Sequence, residues 1–193
     1  ATPYNGEVVV VGDLHGQLKD LLHIIKSEGL PSETKRFIFN GDFVDRGPHG
    51  CEVLILMFAM LCTFPESVYC NRGNHEDYKT NKEYGFLVEI RAKYEDDSDE
   101  IYDEMLKAFK VMPLVHILDK RVMIVHGGLP REVGPVERIN NIGHIRHIPT
   151  VEQVDEDEEI MADLVWSDPV ERFKSRSIGL RHQGQYWRTS ARG

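Results

Sequence analysis

A chain of 193 residues, 41% hydrophobic and 28% charged, is long enough for one domain with a real core and excludes a disordered protein. Its formal net charge of -9 excludes a general nucleic-acid binder, whose phosphate footprint calls for excess Lys and Arg. A phosphorylated substrate stays open, because metals and arginines can reverse the potential inside one cleft. The cysteines, Cys51, Cys62 and Cys70, are odd in number and sit in apolar runs, so they read as small hydrophobes in a reducing compartment. The expected location is intracellular, in the cytoplasm. The longest apolar run, Val53 to Phe64, is too short to span a bilayer, and no signal peptide is visible. Residue 1 is Ala, which leads to the expectation of a longer parent chain.

Glu7 to Val11 is a β-branched run ending at Gly12 and reads as a buried parallel strand. Gln17 to Ser27 places Leu18, Leu21, Leu22 and Ile25 on one helical face, with Gly29 and Pro31 as the stop. Arg36 to Asn40 repeats the strand, and Pro48 opens a helix to about Thr63 that is apolar on nearly every side. Ser67 to Asn71 is a third strand. A helix from about Lys82 to Tyr94 follows, then an acidic loop, then a helix from about Asp99 to Lys110. Val115 to Leu118 and Val122 to Val125 read as strands joined by Asp119-Lys120, a hairpin-like unit. Beyond about Arg131 the pattern weakens. Asp155 to Glu159 reads as a solvated helix face, and after Pro169 the chain is polar, Arg-rich and poor in core-forming residues.

The order β-α-β-α-β predicts an open α/β sheet, in which ligands bind beyond the carboxyl ends of the strands. Four segments converge on that edge: Gly12-Asp13-Leu14-His15-Gly16, Gly41 to Gly47, Gly73-Asn74-His75-Glu76 and His126-Gly127-Gly128. Hard oxygen and imidazole ligands on tight turns suit two divalent metals. One ion would take Asp13, His15 and Asp42, and the other Asp42, Asn74 and His126, with the two oxygens of Asp42 as the bridge. Two ions about 4 Å apart can share a water or hydroxide and lower its pKa toward neutrality, giving a nucleophile for attack on phosphorus. His75 is the candidate proton donor to the leaving alkoxide, with Asp45 orienting its ring. Arg46 would grip phosphate oxygens with its planar fork. His23, His116, His144, His147 and His182 have no motif context and read as structural or solvent-facing.

At these residues the chain resembles the metallo-dependent phosphoprotein phosphatases, the serine/threonine phosphatases of the PPP family. The resemblance rests on GDLHGQ (12–17), GDFVDRG (41–47), RGNHE (72–76) and HGGL (126–129), with YGF (84–86), WSDP (166–169) and SARG (190–193) beside them. It implies an α/β, metallophosphoesterase-type β-sandwich flanked by helices, one catalytic domain over residues 1–193. It also implies a centre of two divalent ions, Mn, Fe or Zn, held by Asp13, His15, Asp42, Asn74 and His126. His75 and Asp45 would form the acid dyad, Arg46, Arg192 and Asn74 would meet the phosphate, and Tyr84 would lie near the substrate. The stretches 39–48 and 71–86 look most like the branch that often carries EF-hands, with the tetratricopeptide-bearing branch close behind. The family pattern continues past SARG with more strands, a metal-binding His and a rim tyrosine, so a C-terminally incomplete domain is expected.

The leading functional expectation is hydrolysis of phosphoserine and phosphothreonine in proteins, with a regulatory domain or subunit outside this chain. A dinucleotide-polyphosphate hydrolase of the same fold is the second reading, disfavoured by the VDRG and YGF forms. A catalytically impaired, phosphoprotein-binding scaffold is the third. Neither a nucleic-acid partner nor a membrane segment is expected.

Overall fold

The computed structural model describes residues 4–130, 156–169, 177–182 and 185–190. Strands β1 (Glu7–Val11), β2 (Lys35–Phe39) and β3 (Val68–Cys70) form a parallel sheet in that order. Its register sets Val11 beside Phe39 and Phe39 beside Cys70, so the three strands end level with one another. Every loop that leaves this edge therefore starts at the same height. That alignment brings segments from far apart in sequence to one place.

Parallel neighbours need crossovers, and helices α1 (Leu18–Glu28) and α2 (Gly50–Thr63) supply them. α1 is amphipathic, with Leu21 fully buried. α2 is apolar nearly all round because it is packed on several sides, with Cys51, Val53, Leu54, Met57 and Met60 buried. Its first turn carries free amides, and Glu89 caps them from another helix, accepting from Gly50 N at 3.0 Å and Cys51 N at 2.9 Å.

The single helix expected near 82–94 is two, α3 (Tyr78–Tyr84) and α4 (Phe86–Tyr94). Gly85 lies between them at φ 121, a backbone state only glycine adopts freely, and it turns the chain. α5 (Ser98–Val111) follows. The sheet, α1, α2, α4 and α5 enclose the main core, in which Phe37, Phe39, Phe43, Phe86 and Phe109 are fully buried.

β4 (Val115–Leu118) and β5 (Val122–Val125) form the expected hairpin. Leu118 pairs with Val122, so Asp119, Lys120 and Arg121 form a three-residue connection; Asp119 (φ 48) and Lys120 (φ 57) are left-handed, and Arg121 N donates to Leu118 O at 2.9 Å. Helix α6 (Glu156–Trp166) packs on the hairpin through a second, smaller core of Ile160, Met161, Leu164 and Val165 against Leu114, Val115 and Val125.

Three expectations need correction. β1 is parallel but not a buried strand, since Val10 is 50% exposed and Val11 alone is buried. Cys62 is exposed at the last turn of α2, whereas Cys51 and Cys70 are buried, and burial pushes both thiols up to about 12. The polar tail after Pro169, for which no element is read from sequence, contains β7 (Ser177–His182) and β8 (Gln185–Ser190), which form an antiparallel sheet with β6 (Ser167–Pro169). The signal there is alternation rather than hydrophobicity, as in Ser177-Ile178-Gly179-Leu180-Arg181. No helix among the described residues is long and apolar enough to cross a membrane.

Candidate active site

The four glycine-rich loops meet at the carboxyl edge of β1–β3, and their backbones fix one another. Leu14 N and His15 N both donate to Asp42 O at 2.9 Å, and Gly16 N donates to Phe43 O at 2.8 Å, which ties the first loop to the second. Glu76, fully buried, ties the second to the third. Its carboxylate accepts from Asp42 N at 2.7 Å, Phe43 N at 2.8 Å and Gly73 N at 2.9 Å. Gly127 N donates to Leu164 O at 2.7 Å, so the fourth loop rests on α6.

These loops come very close. A Cβ on Gly73 would lie 2.3 Å from Asp42 Oδ1, and one on Gly41 would lie 2.5 Å from Gly73 N. Glycine is required at both places by contact, and at Gly41 also by φ 89. Asp42, Asp45 and Arg46 hold left-handed φ values of 57, 70 and 65 without being glycine. Such strain persists only where the surroundings enforce it, and here it aims three side chains into one cleft.

Asp42 is the centre of the cleft. His15 Nε2 lies 3.4 Å from its Oδ2 and His126 Nε2 lies 3.4 Å from its Oδ1, one imidazole to each oxygen. Each ring is oriented from behind: His15 Nδ1 donates to Val44 O at 2.8 Å, and His126 Nδ1 to Asn40 O at 2.7 Å. Backbone carbonyls thus hold both Nε2 atoms toward Asp42, an arrangement typical of histidines that bind metal. Asp13, half exposed, stands nearby, with Oδ2 3.8 Å from His15 Nε2 and Oδ1 4.0 Å from His126 Nδ1. Asp13, Asp42 and His126 form one group able to hold a cation, and His15, Asp42 and His75 another.

The donor set fits cations on one further count: His15 Nε2 is buried and without a hydrogen-bond partner. The Asn74 amide lies 2.9 Å from His126 Nε2 and within reach of both Asp42 oxygens.

Charge is shared unevenly across the cleft. Burial alone would raise Asp42, but the His126 ring, with His75 behind it, holds the carboxyl below its usual 3.8. Burial likewise disfavours a charged His126, yet Asp42 outweighs it and pushes the ring up to about 9. Burial and then the Asp42 charge push Glu76 up to about 7, against the pull of its amide donors.

His75 sits beside this centre. Its Nδ1 is 2.6 Å from Asp45 Oδ2, and its Nε2 lies 3.3 Å from Arg46 Nη2 and 3.9 Å from Asp42 Oδ2. The other oxygen of Asp45 accepts from Phe86 N at 2.8 Å, the first residue of α4. Tyr84, half exposed, stands edge-on to His75 with ring centroids 5.1 Å apart. The structure therefore brings together Asp13, His15, Asp42, Asp45, Arg46, Asn74, His75, Tyr84 and His126. Arg192 lies outside the described residues.

Sequence reasoning missed the supporting residues. Glu76 belongs to a motif but had no assigned role, although a lone carboxylate among glycines asks for amide partners. Arg72, 2% exposed, donates through Nε to Glu76 O at 2.9 Å and pairs with Asp77 at 3.2 Å. Asn40 and Asn71 directly follow the last residues of β2 and β3 at equivalent positions, which was the available signal for a paired role. Ser167, in the WSDP segment, backs Gly127: a Cβ there would meet Val165 C at 2.7 Å and Ser167 N at 2.9 Å.

Comparison with known proteins gives the same direction. The family described as calcineurin-like phosphoesterase matches residues 6–192. The chain is 41% identical over 176 residues to human serine/threonine-protein phosphatase 5, covering 91% of this chain and 33% of that protein. It is 40% identical over 151 residues to human serine/threonine-protein phosphatase with EF-hands 2, covering 78% of this chain and 20% of that protein. A solved Saccharomyces cerevisiae protein serine/threonine phosphatase with similarity to human phosphatase PP5 superposes with a TM-score of 0.81 at 31% identity. That match covers 94% of this chain and 54% of the yeast chain. The chain spans 33% and 20% of the length of these two curated relatives. With its loops, its carboxylate between two imidazoles and these relatives, the chain belongs to the calcineurin-like phosphoesterase family.

Proposed function

We propose that residues 1–193 are a catalytic domain of a metal-dependent protein serine/threonine phosphatase. The observation that carries the reading is Asp42, with one oxygen toward His15 and the other toward His126, beside the Asp45–His75 pair. Asp13, His15 and Asp42 would hold one divalent ion, and Asp42, Asn74 and His126 the other, with Mn, Fe and Zn as candidates. When bound, such ions polarise a phosphate and make water acidic enough to attack phosphorus at neutral pH.

The side chains divide the remaining work. Arg46, exposed at the rim, and Arg192 bind the non-bridging oxygens of the phosphate. Tyr84 walls one side of the cleft beside His75. Asp45 holds the Nδ1 proton of His75, which leaves Nε2 facing the leaving group. His75 acts with its ring protonated on both nitrogens and with Arg46 turned from Nε2 to the phosphate. The departing alkoxide takes the Nε2 proton as the phosphorus–oxygen bond breaks, leaving neutral His75 with its Nδ1 proton on Asp45. Phosphate leaves with the oxygen of the attacking water. The substrate is a phosphoprotein, and regulatory parts lie outside these residues. Three free cysteines support an intracellular, cytoplasmic setting.

The test is phosphate release from a phosphoserine peptide, with and without Mn²⁺, by the chain and its His75→Asn variant. Metal-dependent turnover should fall by about 10²–10⁴-fold in the variant, at unchanged metal content. Equal turnover in both would remove His75 from the reaction.

A further inference from the structure

The hairpin that delivers His126 shares no strand ladder with β1–β3 among the described residues. One backbone bond, Arg72 N to Pro113 O at 2.7 Å, and a set of side-chain amides make the join instead. Asn40 Nδ2 donates to Val125 O at 3.0 Å, while its own carbonyl accepts from His126 Nδ1 at 2.7 Å. Asn40 thus brackets the end of β5, holding the residue before His126 with its side chain and the His126 ring with its backbone. Asn71 Nδ2 in turn donates to Asn40 Oδ1 at 2.7 Å and to Ile124 O at 3.1 Å.

Two backbone carbonyls, Val125 O and Ile124 O, set the direction of this chain, and His116 supplies the donor that its far end needs. Asn71 Oδ1 pairs with His116 Nδ1 at 2.7 Å, and an amide oxygen only accepts, so Nδ1 carries the proton. The His116 ring rests on Tyr69, with centroids 5.4 Å apart, which fixes where that proton points. Without a donor at position 116, the oxygen of the fully buried Asn71 is left without a partner and bears the full cost of its desolvation. Asn71 then shifts toward water or another donor, its grip on Asn40 Oδ1 and Ile124 O loosens, and the bracket opens.

We propose that His116 is a positioning residue for the second metal ion, acting through Asn71 and Asn40 to hold His126. The inference rests on the metal reading given above. The position of His116 in β4 sets it apart from the cleft, so it touches neither substrate nor metal.

The experiment is titration of the metal-free chain with Mn²⁺ alone, on the parent, His116→Leu and His116→Asn. Leu removes the donor, and Asn returns one, because its Nδ2 reaches about where Nδ1 stood. The parent should bind two equivalents. His116→Leu should bind one of them about 10- to 100-fold more weakly and the other unchanged, and His116→Asn should restore both. A merely structural role would weaken both equivalents together. That result, or no change in either, overturns the proposal. If His116→Leu does not fold by circular dichroism, His116→Val, suited to a strand, replaces it with the same outcomes. A parent chain that takes up no Mn²⁺ would sink the metal reading itself, and this proposal with it.

Discussion

The two halves of the cleft are built differently. Asp13, His15, Asp42, Asn74 and His75 stand on loops from one parallel sheet, backed by a core of buried phenylalanines and by backbone amides. His126 stands on a two-stranded hairpin, held by Asn40 and Asn71 and by a core of four buried residues on α6. The first half is placed by the register of its strands, which cannot slip without turning buried side chains outward. The second rests on two isolated backbone bonds, Arg72 N to Pro113 O and Gly127 N to Leu164 O, and otherwise on individual side chains that can be changed one at a time. A bimetal site assembled this way should lose its ions unequally under mutation.

The strongest attempt to break that contrast is Asp42→Asn, since Asp42 is common to both halves. It should bind neither equivalent of Mn²⁺ tightly and bring phosphate release near background. Metal analysis of the purified variant checks this, and two retained ions would show that Asp42 does not bridge. Next is Glu76→Ala, which attacks the backbone-built half alone. Three buried amides lose their partner, and unfolding by urea should register a loss of roughly 3 kcal/mol. A loss under about 1 kcal/mol would mean that water replaces the carboxylate at little cost.

The gentlest probe is pH in the metal-free chain. The folded value of His126, about 9, lies above its ordinary 6.5. Its contribution is therefore full below pH 6.5 and is lost as pH rises through about 9. Glu76, raised to about 7, has the same sign but has spent its effect by then. Thermal melts in excess chelator should fall between pH 7 and 9, and saturating Mn²⁺ should flatten the fall, because a cation then takes the place of the proton. A flat chelator curve would mean that the Asp42–His126 pair does not form.

The loops were legible in the sequence because their chemistry is dense: Asp, His and Asn beside glycine, each at the end of an apolar run. The hairpin was legible too, since alternating Val and Ile around Asp119-Lys120 leave little choice, and its strands fall at the expected bounds. What escaped was whatever acts through another residue. Asn40 and Asn71 look like strand-end polar residues until the sheet sets them side by side. His116 looks like an ordinary histidine in an apolar strand until Asn71 is found opposite it. The break at Gly85 needed a backbone angle, and β7 and β8 were hidden by weighing composition over alternation. The two branches noted from stretches 39–48 and 71–86 are not separated either, since representatives stand at 41% and 40% identity.

Asp45 divides its two oxygens between Phe86 N and His75. His75 is thereby moored, through Asp45, to the positive end of helix α4, where a macrodipole favours negative charge. His75 is then tied twice, to its own loop through His75 N on Asp42 Oδ1 at 3.0 Å and to a core helix through Asp45, so a shift of α4 would pull on its ring. Helix shifts take microseconds to milliseconds, slower than the nanoseconds of a loop.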